Sequence, residues 1–383
     1  MISDFDVVAF SHLRWHWVYQ RPQHLLTRLA RDHRVWYIEE PITVDTDVPW
    51  LETEDVAPNV SVVRPHIRAE YPFFIGEQVP PLTDLTARLA SERHIEPLAL
   101  WLYTPMALPV AQTLRPLAVA YDCMDALSAF RFAPPELVER EVHLMRWADV
   151  VFAGGPSLYR AKEGQHPNLH CFPSSIDVAH FRRALDGALQ DPAGQASIPH
   201  PRLGYFGVID ERLDYSLLGS LARARPDWQV IMVGPFTKVD PGDLPHAPNL
   251  HYLGQQPYED LPAYISGWEV ALMPFALDEA TRFISPTKTL EYMAAGRAVV
   301  STPITDVQEP YGDIVYIADG AEAFVAACDQ AMSEPPAERL RRQRQREAVL
   351  ASTSWDDTAS RMHALLDQAV QRRSPRAPTV GTH

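Results

Sequence analysis

The sequence predicts an α/β protein built from two successive doubly wound units, and three observations carry that prediction. Short apolar runs alternate with amphipathic segments along nearly the whole chain, as parallel strands joined by crossover helices do. The alternation lapses once, across residues 183–200, where Gly, Ala, Gln and Pro accumulate as in a linker. At 383 residues with 46% hydrophobic content, the chain is long enough for two domains and apolar enough to give each a core. The boundaries expected are 1–182 for the first domain, 183–200 for the linker and 201–353 for the second domain. Residues 354–371 read as a last helix and 372–383 as a disordered tail.

In the first unit, Asp6–Phe10 is an apolar strand and the helix expected over 22–30 follows a polar, aromatic loop. Strand 34–38 completes a β-α-β unit. Residues 41–85 are Pro- and acid-rich, with one strand expected at 60–63. Further strands are expected at 98–102, 117–121 and 149–153, with a helix over 135–148. Gly154-Gly155-Pro156-Ser157 follows the last of these strands. In the second unit the strands are 202–207, 229–234, 251–253, 270–274, 298–300 and 314–317. Helices are expected at 215–224, 261–266 and 286–295, then charged helices over about 321–352 and 354–371.

Composition excludes several classes. A net charge of −15 and a pI near 5.4 are wrong for a nucleic-acid binder. No apolar run approaches the roughly 20 residues of a membrane span. The start, Met1 to Phe10, lacks a basic signal-peptide region and reads as a strand. Cys123, Cys171 and Cys328 are widely separated and form no metal or redox motif, which fits a reducing cytoplasm. Asp4-x-Asp6 and Asp45-x-Asp47 match a two-aspartate metal pattern only by being short, and no His-x-x-x-His pair points to zinc. No metal and no cofactor are expected.

The chemistry centres on Ser285-Pro286-Thr287-Lys288-Thr289-Leu290-Glu291, which opens a short helix ended by Gly296. Ser285 suits the N-cap and Pro286 the first helical position. Lys288 is out of place in a first turn, where the helix dipole disfavours a cation, unless an anion shares the site. Glu291 lies one turn deeper on the same face. Phosphate at the helix mouth, ammonium beside it and a carboxylate behind it to take ribose hydroxyls suit a nucleotide diphosphate. An exposed Lys–Glu pair on an ordinary helix is the plainer alternative. Gly204-Tyr205-Phe206-Gly207 ends a strand, so backbone can approach a phosphate there, and Arg212 follows as a second cation. Neither unit carries G-x-G-x-x-G or a Walker loop.

In the first unit, Asp122 and Asp125 follow an inner strand, where a carboxylate can bind or deprotonate a hydroxyl or simply cap a turn. The loop after the first strand carries Arg14, Trp15, His16, Tyr19, Gln20 and Arg21, a mixture suited to a sugar or to buttressing the sheet.

These residues together resemble the GT-B-fold retaining glycosyltransferases of group 1, a family 4-like group. Ser285 to Val300 is similar to that family's donor-site helix and strand. Gly204 to Gly207 with Arg212 resembles its glycine loop and basic residue. Cys171-Phe172-Pro173-Ser174-Ser175-Ile176-Asp177 is similar to its hinge, and Ser354-Trp355-Asp356 to the start of a final helix that crosses back to the first domain. Trp15, Gln20-Arg21-Pro22-Gln23-His24 and Tyr121 to Asp125 look like a subgroup found with bacterial surface-polysaccharide assembly. The resemblance implies two Rossmann-like domains facing a cleft. It implies a UDP- or GDP-sugar donor as co-substrate and a saccharide or lipid-linked acceptor. The enzyme would be cytoplasmic, with peripheral contact at the inner membrane, and transfer would be retaining and metal-independent. Donor-site candidates are Gly207, Arg212, Ser285, Pro286, Thr287, Lys288 and Glu291, with Gln255 and Tyr258 for the base. Arg14, Trp15, Tyr19, Gln20 and Arg21 are acceptor candidates; Asp125 and His16 are catalytic candidates. Phe283 stands where the family has a first glutamate, and Asp278 or Glu279 is the candidate replacement. Asp214 and Tyr215 stand where it has a second basic residue. A sugar-nucleotide epimerase or hydrolase on the same fold, or a non-catalytic nucleotide-sugar-binding subunit, are the alternatives.

Overall fold

The computed structural model describes residues 5–68 and 74–373. The first sheet contains β1 (Asp6–Ser11), β2 (Val35–Glu39), β3 (Ile42–Thr43), β4 (Trp50–Ala57), β5 (Val60–Ile67), β6 (Leu98–Leu102), β7 (Val119–Cys123), β8 (Val150–Ala153) and β9 (Leu169–Cys171). The second contains β10 (Arg202–Phe206), β11 (Gln229–Val233), β12 (Leu250–Tyr252), β13 (Val270–Met273), β14 (Ala298–Ser301) and β15 (Tyr316–Ile317). Their orders are β3-β5-β2-β1-β6-β7-β8-β9, with β4 flanking β5, and β12-β11-β10-β13-β14-β15. Every pairing is parallel except β4 with β5. The doubly wound expectation therefore holds. Helices cover both faces of each sheet, so β1, β2, β6, β7, β8, β10 and β13 are buried throughout; that burial makes them continuous apolar runs rather than alternating ones.

Strand order reverses at β1, which lies between β2 and β6, and again at β10, which lies between β11 and β13. In open parallel sheets the crevice at such a reversal, beyond the carboxyl ends of the strands, is where ligands bind. The two loops that leave these strands, residues 12–20 and 207–214, carry Arg14 to Gln20 and Gly207 to Arg212 among the candidate residues.

Three expectations are corrected and one element is added. Residues 41–85 hold β3 and β4 as well as β5; β4 is half-exposed and held by charge across the pair, Glu52 to Arg64 and His66 and Glu54 to Arg64. Residues 183–200 are a packed strap rather than a loose linker: buried Gln195 accepts from Trp268 Nε1 and donates to Tyr264 O, and Arg202 ties down Asp191. The segment at 156–162 is a helix, Pro156–Lys162. The charged stretch 321–352 is two helices, Ala321–Met332 and Pro336–Ala351, split at Pro335-Pro336 because proline cannot continue a helix but starts one well.

The final helix, Trp355–Arg373, returns to the first sheet. Trp355, Ala359, Met362, Leu366 and Ala369 recur at helical spacing and are buried in that sheet's core with Trp15, Leu25 and Phe172. It continues past the expected end at 371 to Arg373; the rest of the expected tail, residues 374–383, lies outside the described residues.

Candidate functional site

A cleft of about 510 Å³ lies between the carboxyl ends of the two sheets. Its second-sheet wall is built on β10 and the helix Lys288–Ala294. Tyr292, fully buried on that helix, accepts a hydrogen bond from the Phe206 N–H at 3.0 Å and fixes the helix against β10. Lys288 then lies over Gly207. A Cβ on Gly207 would come within 2.0 Å of Lys288 Cε, and its φ of +140° is itself unfavourable to other residues. The adjoining Gly234 would place a Cβ 1.8 Å from the Gly207 carbonyl oxygen. Gly207→Ala is thus expected to displace the Lys288 ammonium and lower turnover by roughly 10²-fold, while the protein stays folded by circular dichroism. Unchanged turnover would remove Lys288 from the site as built.

The helix begins two residues later than expected, at Lys288. Thr287 is its N-cap and no side chain caps it; the Thr289 and Leu290 N–H groups reach back three residues, to Pro286 and Thr287. Ser285 is therefore not the cap, and it lines the cleft with Pro286 and Thr287.

The wall is electrically tense. Burial holds the Lys288 ammonium below the ordinary lysine range, with Glu291 the strongest opposing influence and the Arg212 charge adding to the depression. Burial raises the Glu291 carboxyl to about 7, against the pull of Lys288. Arg212 is clamped to Asp210 through Nε and Nη2, at 3.0 and 2.6 Å; among the described residues its Nη1 has no protein partner. From the first unit, the Phe130 ring meets the Arg212 guanidinium at 5.4 Å. Asp125 lines the same cleft; burial raises its carboxyl, and the nearby Arg212 is the first influence to oppose that.

On the first-sheet wall, Trp15, His16, Tyr19 and Gln20 line the cleft. His16 Nε2 faces the Glu54 carboxylate at 3.0 Å. Two expected contacts are corrected. Arg14 is absent from the cleft lining because Glu39 and the carbonyls of Glu40 and Pro41 hold its guanidinium. Arg21 borders the cleft but is 2% exposed, with its guanidinium held by Asp122 and the Phe172 carbonyl. Asp122 is likewise fully buried and acts as the partner of Arg21. The carboxylates of the short metal patterns are also taken: Asp6 by Arg34, Asp45 and Asp47 by Arg68. Asp4 lies outside the described residues.

The two halves touch around the base-site candidates. The Gln255 carboxamide donates to the Trp17 carbonyl. Tyr258 packs on Tyr19 at 4.7 Å and stacks on His180 at 4.2 Å, and its hydroxyl is buried with no partner among the described residues. Sequence reasoning missed His24 as a lining residue. It stacks flat on Trp355 at 4.7 Å, so the final helix reaches the cleft, and burial lowers its ring pKa to about 3. Its place in the run from Gln20 to His24 was the only signal. Phe283 packs against the first-sheet core. Neither proposed replacement carboxylate lines the cleft: Asp278 caps its own turn at Ala280 and Thr281, and Glu279 is exposed beside Arg282.

The chain is similar to known proteins in sequence and in fold. Residues 201–334 match the family Glycosyl transferases group 1. A Bacillus subtilis (strain 168) protein assigned as a glycosyltransferase of teichuronic acid biosynthesis is 24% identical over 285 residues, 68% of this chain and 70% of that one. Among solved structures, sucrose-phosphate synthase from Thermosynechococcus elongatus superimposes with a TM-score of 0.72 at 16% identity, over 96% of this chain and all of that one. An E. coli trehalose-6-phosphate structure bound with UDP-2-fluoro glucose gives 0.67 at 14%, over 95% and 99%. No helix among the described residues is long and apolar enough to cross a membrane. The second half of the chain thus carries the glycosyl transferases group 1 match within a GT-B architecture, and the chain is a glycosyltransferase of the hexosyltransferase type.

Proposed function

We propose that this enzyme transfers a sugar from a UDP- or GDP-sugar to a saccharide or lipid-linked acceptor of cell-envelope polysaccharide. The observation that carries the reading is the convergence of Lys288, Arg212 and Glu291 with Asp125 on one cleft. The diphosphate lies against Gly207 between the Lys288 ammonium and the Arg212 guanidinium. Glu291 accepts from the ribose hydroxyls, and Gln255 and Tyr258 flank the base. As the bond from the anomeric carbon to the phosphate oxygen breaks, charge grows on the leaving diphosphate. Two preorganised cations stabilise it in a site of low dielectric, so the reading is metal-independent transfer. The acceptor enters along Trp15, Tyr19 and Gln20. Its hydroxyl oxygen bonds to the anomeric carbon, and Asp125 receives its proton; His16, oriented by Glu54, positions it. Retention of configuration belongs to the same reading. The polysaccharide role is supported by the relative assigned to teichuronic acid biosynthesis; peripheral contact with the inner membrane face belongs to the same reading.

A thermal-shift screen of UDP, GDP and their sugars tests the donor class, because a ligand that binds the native state raises its melting temperature. One base is expected to stabilise the protein; no shift with any of them at millimolar concentration would contradict the reading.

The Glu291 carboxyl gives the binding a direction with pH. Its folded pKa is about 7, so it is protonated below and ionised above that value. Only the ionised form accepts from both ribose hydroxyls. Affinity for a sugar nucleotide is expected to fall roughly tenfold as pH drops through 7, the loss of one charged hydrogen bond. In Glu291→Gln the profile should be flat and low, and calorimetry at pH 6 and 8 would show it.

A further inference from the structure

Far from the cleft, three side chains converge where the final helix crosses the first unit. His33 precedes β2, at the amino end of the strands, opposite the cleft. Its ring is fully buried and its Nε2 lies 2.7 Å from His363 Nε2. Asp367, one turn along the same helix, brings Oδ2 within 3.5 Å of that His363 nitrogen. The three ligand atoms lie within 4.8 Å of one another.

The other ring nitrogens decide what this cluster is for. His33 Nδ1 lies 3.0 Å from the Phe5 carbonyl oxygen, which only accepts, so Nδ1 carries the proton and Nε2 a lone pair. His363 Nδ1 faces the Asp32 carboxylate at 3.8 Å. With its proton toward that carboxylate, neutral His363 also points a lone pair inward from Nε2. Two imidazole lone pairs and a carboxylate oxygen then face one point, and a cation is what they have in common. A carbonyl or carboxylate behind each ring is the arrangement that orients metal-bound histidines. Two nitrogens and one oxygen suit a borderline divalent ion, with water as fourth ligand. Two nitrogens on a tetrahedral zinc stand about 3.3 Å apart, a separation that a small swing of the half-buried His363 ring supplies.

We propose that His33, His363 and Asp367 bind a zinc ion that fastens the final helix to the first unit. The local-spacing argument against metal does not reach this group, because its histidines are 330 residues apart. The site would act on stability, not on sugar transfer.

The test uses the full chain, stripped with EDTA, dialysed and titrated with Zn²⁺ by calorimetry and thermal shift. Wild type is expected to bind one Zn²⁺ per chain and to gain several degrees in Tm. Co²⁺ should give a tetrahedral visible spectrum. His363→Ala and the milder Asp367→Asn should each weaken binding by at least roughly tenfold and lose the Tm gain. The buried His33 is left intact. No saturable binding to wild type, or identical binding and Tm gain in both variants, would overturn the proposal. Stabilisation by acid with no response to metal would also overturn it, assigning the pair to a shared proton instead.

Discussion

Lys288→Ala is expected to lower kcat/KM for the sugar nucleotide by about 10²–10³-fold, the range seen when one preorganised group facing a developing negative charge is removed. The loss should fall on kcat as well as KM, because the leaving diphosphate carries more charge in the transition state than in the ground state. The fold should survive. Lys288 is half-buried at the mouth of its helix, and the groups that fix that helix, Tyr292 and Thr289, are untouched. Its removal also relieves the strain on the wall, where an ammonium held down by burial sits beside Arg212. Tm is therefore expected to hold or rise slightly while turnover collapses. Loss of turnover with an equal loss of folded protein would make Lys288 structural and sink the assignment.

The largest stability effect is expected at a different charge. Asp122 and Arg21 form a fully buried ion pair at 2.8 Å, supported by the Phe172 carbonyl. Removing one partner of such a pair leaves an unpaired charge in the core and costs about 3–5 kcal/mol. Asp122→Ala should thus lower the melting temperature by roughly 10 °C, and Arg21→Ala should behave alike. An exposed pair gives the contrast: Arg68 with Asp45 and Asp47 is largely in solvent, and Arg68→Ala should change stability by less than about 1 kcal/mol. Urea unfolding of the three variants side by side checks this. If Asp122→Ala were as mild as Arg68→Ala, the buried pair would not be holding the first sheet to the helix Arg21–Leu29.

These two cases show what can be read before folding and what cannot. The helices Tyr215–Ala224 and Leu261–Ser266 occur where the pattern put them, because amphipathic spacing and flanking strands agree there. Buried parallel strands announce themselves as apolar runs. Lys288 was legible because it violates a local rule, a cation in a first helical turn, and such violations concentrate at functional sites. Glu291 could be grouped with it by its helical spacing, and Arg212 and Asp125 because they follow strand ends, where ligands bind in such folds. What stayed hidden is set by pairing across distance. Nothing near Arg21 in sequence reveals Asp122, 101 residues on, so its guanidinium read as free for an acceptor. Arg14 was misread for the same reason. The strand β4 is held by cross-strand charges rather than by burial, so apolar periodicity could not find it. The strap at 183–200 has the composition of a loose connection, yet Gln195 and Arg202 tie it down and Ala184 and Ile198 join the second core.

The central claim is that a nucleotide diphosphate binds between Lys288 and Arg212 on the second-sheet wall. Calorimetric titration of the stabilising sugar nucleotide into wild type, Lys288→Ala and Arg212→Gln tests it most directly. The account predicts one site per chain in wild type and at least a tenfold weaker Kd in each variant, about 1.4 kcal/mol or more. Binding of equal affinity in all three would contradict it.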